Sequence, residues 1–266
     1  MIIVADNLQI TNPAISRAID HLDPDPVTGL VNTCIAAGAQ ALDINPGPLS
    51  RDPEEKMTFF VETVQSVTDL PLLLDTTNPR ALEAGLIAAT NPVIINGFSL
   101  EPAKLDGILP LAAQYRTDII GYLLYPDSQV PVDEADCLDV ATRVFEAFSN
   151  TGLDPARLII DPVIAPMIWD NGGRHNQSVL SVLRHLPDLF GVPVRTIAGI
   201  SNLTAGPAPQ NKRLLLETTF APMLAAAGLT HALLNIRHTD TIRRLQTSDL
   251  LLQPGIFAWE AVPSIP

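Results

Sequence analysis

The stretch Pro71-Leu-Leu-Leu-Asp-Thr-Thr-Asn-Pro-Arg-Ala-Leu-Glu-Ala-Gly-Leu86 holds one complete structural unit. Leu72, Leu73 and Leu74 are apolar at consecutive positions, the pattern of a strand buried on both faces. Asp75 ends that run. Asn78-Pro79 then opens a helix, with Asn as its cap and Pro in its first turn, and the helix runs on through Leu82 and Leu86. The same order recurs along the chain. Short apolar runs occupy residues 2–4, 41–44, 72–74, 93–95, 119–124, 158–160, 196–200 and 232–234. Their starts lie roughly 20 to 40 residues apart, the room that a strand, a helix and two loops require. Helical patterns fill the gaps at 26–38, 53–67, 133–150, 176–186 and 213–228. In the first of these, Val27, Leu30, Val31, Cys34 and Ile35 fall on one face and Gly38 is the stop. Eight strand-then-helix units within 266 residues predict an α/β fold, a single (β/α)8 TIM barrel over residues 1–266. A doubly wound open sheet is the alternative, and it usually carries a Gly-rich turn after its first strand. Here the first run leads into Ala5-Asp-Asn-Leu-Gln9.

Charge narrows the partners. Lys and Arg number 16 against 29 Asp and Glu, a net charge of −13. That balance argues against nucleic acid, which needs a basic face, and against docking on an anionic membrane. The start, Met1-Ile-Ile-Val-Ala-Asp6, has no basic segment, long apolar run or cleavage site, so a cytoplasmic protein is expected. Uncharged stretches such as 218–230 are too short to span a bilayer and are broken by Pro222 and Gly228. Cys34 and Cys137 lie far apart, outside any CxxC, and read as reduced thiols.

A barrel places its active site at the C-terminal mouth of its strands. The apolar runs end there in a consistent chemistry: Asp6, Asp43-Ile-Asn45, Asp75, Asn96, Asp161, Ser201-Asn202 and Asn235. Asp and Asn also begin loops and cap helices. Seven such endings at equivalent positions point instead to a cup of carboxylates and carboxamides. The cup has no Ser-His-Asp set or nucleophile elbow, and the chain has no Walker loop or dinucleotide fingerprint. No histidine leaves a strand beside Asp43, Asp75 and Asp161, so no bound metal is expected. Such a cup suits a flat heterocycle that presents paired N–H donors and mixed acceptors. A pterin is one, because its 2-amino and N3–H edge bonds a carboxylate bidentately, as a guanidinium does.

The runs Leu42-Asp-Ile-Asn-Pro-Gly-Pro48, Leu74-Asp-Thr-Thr-Asn78, Ile94-Ile-Asn96, Ile160-Asp-Pro162 and Gly199-Ile-Ser-Asn202 together resemble the pterin-binding methyltransferases. The similarity is closest to the methyltetrahydrofolate:corrinoid protein methyltransferases, including the enzyme serving the corrinoid iron–sulfur protein, and extends from Met1 to about Leu252. The resemblance implies a barrel of the dihydropteroate-synthase type that dimerises with itself. It implies 5-methyltetrahydrofolate or tetrahydrofolate as a substrate, and a corrinoid (cobalamin) supplied by a separate partner protein. By motif position, Asp75, Asn96 and Asp161 would hold the pterin ring, with Asp43 and Asn45 in support. Gly199 and Ser201 would shape the wall, Asn202 would be catalytic through a hydrogen bond to N5, and Arg213 would reach the pterin.

The chain also departs from that family's pattern. Leu203-Thr-Ala-Gly-Pro-Ala-Pro-Gln210 is a longer connection to Asn211-Lys212-Arg213, Asp6-Asn-Leu-Gln9 replaces a Glu-Arg-Ile-Asn-like turn, and Glu217 stands where Asn is common. Two other readings share the barrel. One is a dihydropteroate-synthase-like enzyme, although Ser201-Asn-Leu203 replaces its Ser-Arg-Lys signature. The other is a non-catalytic pterin-binding subunit of a corrinoid complex.

Overall fold

The computed structural model describes residues 1–49 and 51–264. The chain alternates strands and helices in the order β1 (Ile2–Gln9), α1 (Pro13–His21), α2 (Pro24–Ala36), β2 (Ala41–Asn45), α3 (Pro53–Gln65), β3 (Leu72–Leu74), α4 (Pro79–Ala88), β4 (Val93–Phe98), α5 (Pro102–Gly107), α6 (Leu109–Tyr115), β5 (Asp118–Tyr122), α7 (Glu134–Ser149), β6 (Leu158–Asp161), α8 (Gly172–Phe190), β7 (Arg195–Gly199), α9 (Gln210–Ala227), β8 (His231–Leu234) and α10 (Thr239–Leu252). The strands pair in sequence order, all parallel, and β8 returns to β1 with Ile2 opposite His231, closing the barrel. Among the described residues no helix is long and apolar enough to cross a membrane.

The expected strands are all present, and the differences lie at their ends. β1 runs on to Gln9 through an irregularity between Ala5 and Leu8, and the fifth run stops pairing at Tyr122 instead of Leu124. α8 is longer than the 176–186 pattern at both ends, because Pro187 is accommodated inside the helix and Gly191 closes it in the left-handed conformation. α9 starts three residues before Arg213, at Gln210. Helices α1, α5, α6 and α10 lie outside the segments expected as helical. The first of these carries the same signature as α4: Asn12 accepts from the Ala14 N–H and Pro13 occupies the first turn.

Each strand is apolar on both sides because both sides are covered. One face packs under the helices in a continuous core that includes Ile3, Leu42, Leu72, Leu74, Ile95, Ile119 and Ile160. The other face fills the barrel. There Val4, Ala41, Leu73, Ile94, Ile120, Ile159 and Ile197, one from each of seven strands, form a separate apolar cluster, with Leu233 of β8 against it. Side chains on one face of a strand recur every second residue. The next inward layer is therefore Asp6, Asp43, Asp75, Asn96, Tyr122, Asp161 and Gly199, with Asn235 just past the end of β8. The barrel is plugged by hydrocarbon and topped by polar groups.

Gly97 sits where β4 and β5 shift register, directly after Asn96. A Cβ built there would collide with the Ile120 carbonyl oxygen, which is backbone and cannot swing aside. Gly97→Ala should therefore lower the urea unfolding midpoint by an amount equivalent to about 1–3 kcal/mol. An unchanged midpoint would show that the β4–β5 junction has room to spare.

Candidate active site

The polar layer lines a cavity of about 270 Å³ at the C-terminal end of the strands. Asp6, Gln9, Asp43, Asn45, Asp75, Asn96, Tyr122, Asp161, Gly199, Ser201 and Asn202 surround it, over Ile197 and Leu233. Of the residues assigned from the sequence, Asn202, Asp43, Asn45, Asp75, Asn96, Asp161, Gly199 and Ser201 all meet here. Arg213 does not line the cavity. Its guanidinium donates to the carbonyls of Ala208 and Gly206, so it ties down the connection before α9.

Carboxylates and carboxamides are paired around the cup. Asn45 Nδ2 donates to Asp75 Oδ2 at 2.6 Å, while Asn45 Oδ1 accepts from the Gly47 N–H at 3.0 Å. Asn96 Nδ2 donates to Asp43 Oδ1 at 2.8 Å, and its Oδ1 accepts from the Tyr122 hydroxyl. Asp161 Oδ1 accepts from the Val163 N–H at 2.7 Å. To present that N–H, Val163 adopts φ +58°, a left-handed conformation that a β-branched residue rarely takes. The turn is secured from behind, where the buried His175 ring contacts the Val163 carbonyl oxygen through Nε2 at 2.6 Å.

Burial above the hydrocarbon layer governs the charges. Asp161 is pushed up to about 7 by desolvation, opposed by the Val163 N–H. Asp75 is pushed up to about 6 by burial, opposed by the Asn45 amide and the Lys104 ammonium. Asp43 is raised well above the usual carboxylate range by burial and by the Asp75 charge. Asp6 is raised to about 6 by burial, with the His238 charge pulling it down. Burial and the neighbouring carboxylates also push the Tyr122 hydroxyl well up. Lys104 of α5 stands 5.3 Å from the centroid of the Tyr122 ring. Among the described residues no three His, Cys, Asp or Glu side chains form a group that could hold a metal ion.

The β7 side of the cup is built differently. A short 3-10 helix, Ile200–Thr204, follows the strand and carries Ser201 and Asn202. Gly199 leaves space for Asn202, whose Nδ2 would lie 3.1 Å from a Cβ at that glycine. Asn202 is exposed, and among the described residues its side chain has no hydrogen-bond partner. Below it, Glu217 of α9 is buried, accepts from the Thr204 hydroxyl at 2.5 Å and pairs with His238 Nδ1 at 2.9 Å.

Three of these participants were not assigned to the site from the sequence: Gln9, Tyr122 and Lys104. Asp6, one of the seven strand endings expected in the cup, lies there beside Asp43, where the inward alternation from Val4 puts it. Tyr122 is hidden inside an apolar run, and the same alternation from Ile120 finds it. Gln9 and Lys104 carry no such signal.

The raised carboxyls have a consequence for stability. Their folded values lie above the ordinary value of 3.8, so the folded chain holds extra protons between about pH 4 and 7. Stability from these groups is full below that window and is lost as pH rises through it. Asp161→Asn keeps an acceptor for Val163 and removes the charge. Its melting temperature should exceed that of the parent by several degrees at pH 8, and the gain should vanish towards pH 5. Equal melting curves at pH 8 would show that Asp161 is not destabilised by burial.

The family model described as "Pterin binding enzyme" matches residues 7–235, which contain every cavity residue except Asp6. The chain is 23% identical over 257 residues to a methylcorrinoid:tetrahydrofolate methyltransferase of Eubacterium limosum, covering 95% of this chain and 91% of that one. It is 23% identical over 216 residues to the methionine synthase of Mycobacterium leprae, covering 78% of this chain but only 18% of that longer protein. Among solved structures, a dihydropteroate synthetase with its product superposes with a TM-score of 0.70 at 16% identity, over 94% of this chain and 93% of the other. The Xanthomonas albilineans dihydropteroate synthase complexed with 7,8-dihydropteroate gives 0.66 at 22% identity, over 95% and 94%. The structural likenesses share the barrel. The family match spans it from Asn7 to Asn235, and the chain belongs to the pterin binding enzyme family.

Proposed function

We propose that this protein moves a methyl group between N5 of a tetrahydrofolate and the cobalt of a corrinoid carried on a separate protein. One observation carries the reading: the cup pairs carboxylates with carboxamides and has Asn202 unpartnered at its rim, and among the described residues no Cys or His lines it and Ser201 has no histidine beside it in the lining. The name of the Eubacterium limosum relative, a methylcorrinoid:tetrahydrofolate methyltransferase, supports the same substrates.

The chemistry follows from the geometry. A pterin ring offers its 2-amino and N3–H donors to a carboxylate and its remaining ring positions to carboxamides. Asp75 and Asp161 are the acceptors for that edge, and Asn96 serves the other positions. Asp43 and Asn45 act on the ring indirectly. Asp43 takes one amide proton of Asn96 and so fixes which way that amide faces, and Asn45 holds one oxygen of Asp75. Buried acceptors of this kind are costly when unpaired, so a ligand that supplies the missing donors gains affinity from them.

Methyl transfer needs no nucleophile from the chain, because the reduced cobalt is the nucleophile. It needs alignment of N5, methyl and cobalt, and it needs stabilisation of the charge that develops on N5. A donor whose hydrogen bond strengthens as N5 becomes the leaving group lowers the barrier directly. Asn202 fits this role, since its amide is uncommitted and Gly199 leaves it room to turn.

With 5-methyltetrahydrofolate and free cob(I)alamin as substrates, Asn202→Ala should slow transfer more than tenfold and weaken pterin binding. An unchanged rate would remove Asn202 from the mechanism. Asp75→Ala should mainly abolish pterin affinity, measured by calorimetry, and tight binding by that variant would contradict the assignment. If the parent protein instead condensed a pterin pyrophosphate with p-aminobenzoate, the dihydropteroate-synthase-like reading would replace this one.

A further inference from the structure

The cup contains four aspartates, and one is unlike the rest. Asp43, Asp75 and Asp161 each receive an N–H, from Asn96, Asn45 and Val163 respectively. A carboxylate held by an N–H donor is set up to accept further N–H groups from a ligand. Among the described residues Asp6 receives none from another residue. Its side chain is bonded instead by its own backbone N–H and by the Ser201 hydroxyl, one residue before Asn202. Behind Asp6 stands the Glu217–His238 pair, whose two charges act on it in opposite directions. Asp43 on β2 and Cys34 on α2 face it from the other side, with Arg237 acting on Cys34. The 3-10 helix bearing Asn202 is thus held at both ends, through Ser201 to Asp6 and through Thr204 to Glu217.

We infer that Asp6 is the proton carrier of the reaction: it delivers a proton to N5 when the methyl group leaves for cobalt, and takes it back when N5 is methylated. The inference rests on the methyl-transfer reading above. That reaction has a proton in its balance. Towards cobalt, the electron pair of Co(I) forms the carbon–cobalt bond and cobalt becomes Co(III). The N5–carbon bond breaks with its pair remaining on N5, and the Asp6 carboxyl protonates that nitrogen and becomes a carboxylate. In reverse, the N5 lone pair attacks the methyl group, cobalt keeps the other pair as Co(I), and the Asp6 carboxylate takes the N5 proton. A proton carrier works best when both of its forms are populated near the operating pH, and burial brings Asp6 to about 6. His238 and Glu217 are positioning residues here, setting the charge around Asp6 without touching the pterin. Asp6 reaches solvent through the cup itself, so its proton is exchanged once the product leaves.

The test is single-turnover transfer from saturating 5-methyltetrahydrofolate to free cob(I)alamin between pH 5 and 9. At saturation the profile reports ionisations in the complex, where on this reading the pterin N–H donors hold Asp75 and Asp161 charged. The parent rate should fall as pH rises through the titration of Asp6. Asp6→Asn should remove that limb and slow transfer at least tenfold at pH 6, with pterin affinity within about threefold of the parent. His238→Gln, which removes a cation near Asp6, should move the midpoint upward, and this second variant decides the matter even if Asp6→Asn fails to fold. An unaltered midpoint in Asp6→Asn or in His238→Gln overturns the inference, as does a loss of affinity in place of rate. A parent protein that transfers no methyl at any pH fails the methyl-transfer reading itself, and the inference with it.

Discussion

Burial of carboxyl groups directly above a hydrocarbon plug is the constraint on which this molecule turns. Eight inward-facing apolar side chains fill the barrel, and the next inward layer of the same strands brings Asp6, Asp43, Asp75 and Asp161 into one cup. Water cannot fully solvate them there, so their charged forms are disfavoured and they rise towards neutrality. Carboxamides and one strained backbone turn offset part of the penalty. The rest remains until a ligand with matching N–H donors arrives. The scaffold thus holds an unfavourable arrangement in place for binding, a common trade between stability and function.

Holding such a cup requires rigidity around it. The parallel ladder closes on itself, so no strand edge is free to slip, and capped helices cover the outer face. The cup has two characters. From β2 round to β6, carboxylate–carboxamide pairs and the Asp161 turn form an acceptor-rich surface suited to the donor edge of a pterin. On the β7 and β1 side, Gly199, Ser201, Asn202 and Asp6 form a less committed surface, backed by the Glu217–His238 pair. On the proposed reading, ring recognition belongs to the first side and chemistry at N5 to the second.

Much of this was legible in the sequence because parallel strands buried on both faces are consecutive apolar runs, and the residues ending them face the mouth. Leu72–Leu74 followed by Asp75, and 41–44 containing Asp43, are read in this way without any structure. Tyr122 escaped notice because a tyrosine within 119–124 looks like one more apolar residue until the inward alternation is known. The partners of Asp6 were illegible for another reason: Glu217 and His238 come from the far end of the chain and meet it only when β8 closes against β1. Arg213 was placed by the family resemblance alone, and the lengthened connection before it lets the guanidinium satisfy carbonyls of its own loop. Helix ends moved where a local rule was overridden, as at Pro187, which α8 accommodates one turn before its end.

The most direct test of the account is calorimetry of tetrahydrofolate binding near pH 6.5, repeated in buffers with different ionisation enthalpies. If the cup binds the pterin by presenting charged carboxylates to its N–H donors, groups that are partly protonated in the free protein must give up protons. The heat should then depend on the buffer with the sign of proton release. Binding without proton release, or no heat with any reduced folate, would contradict the claim that these buried aspartates are what grips the ring.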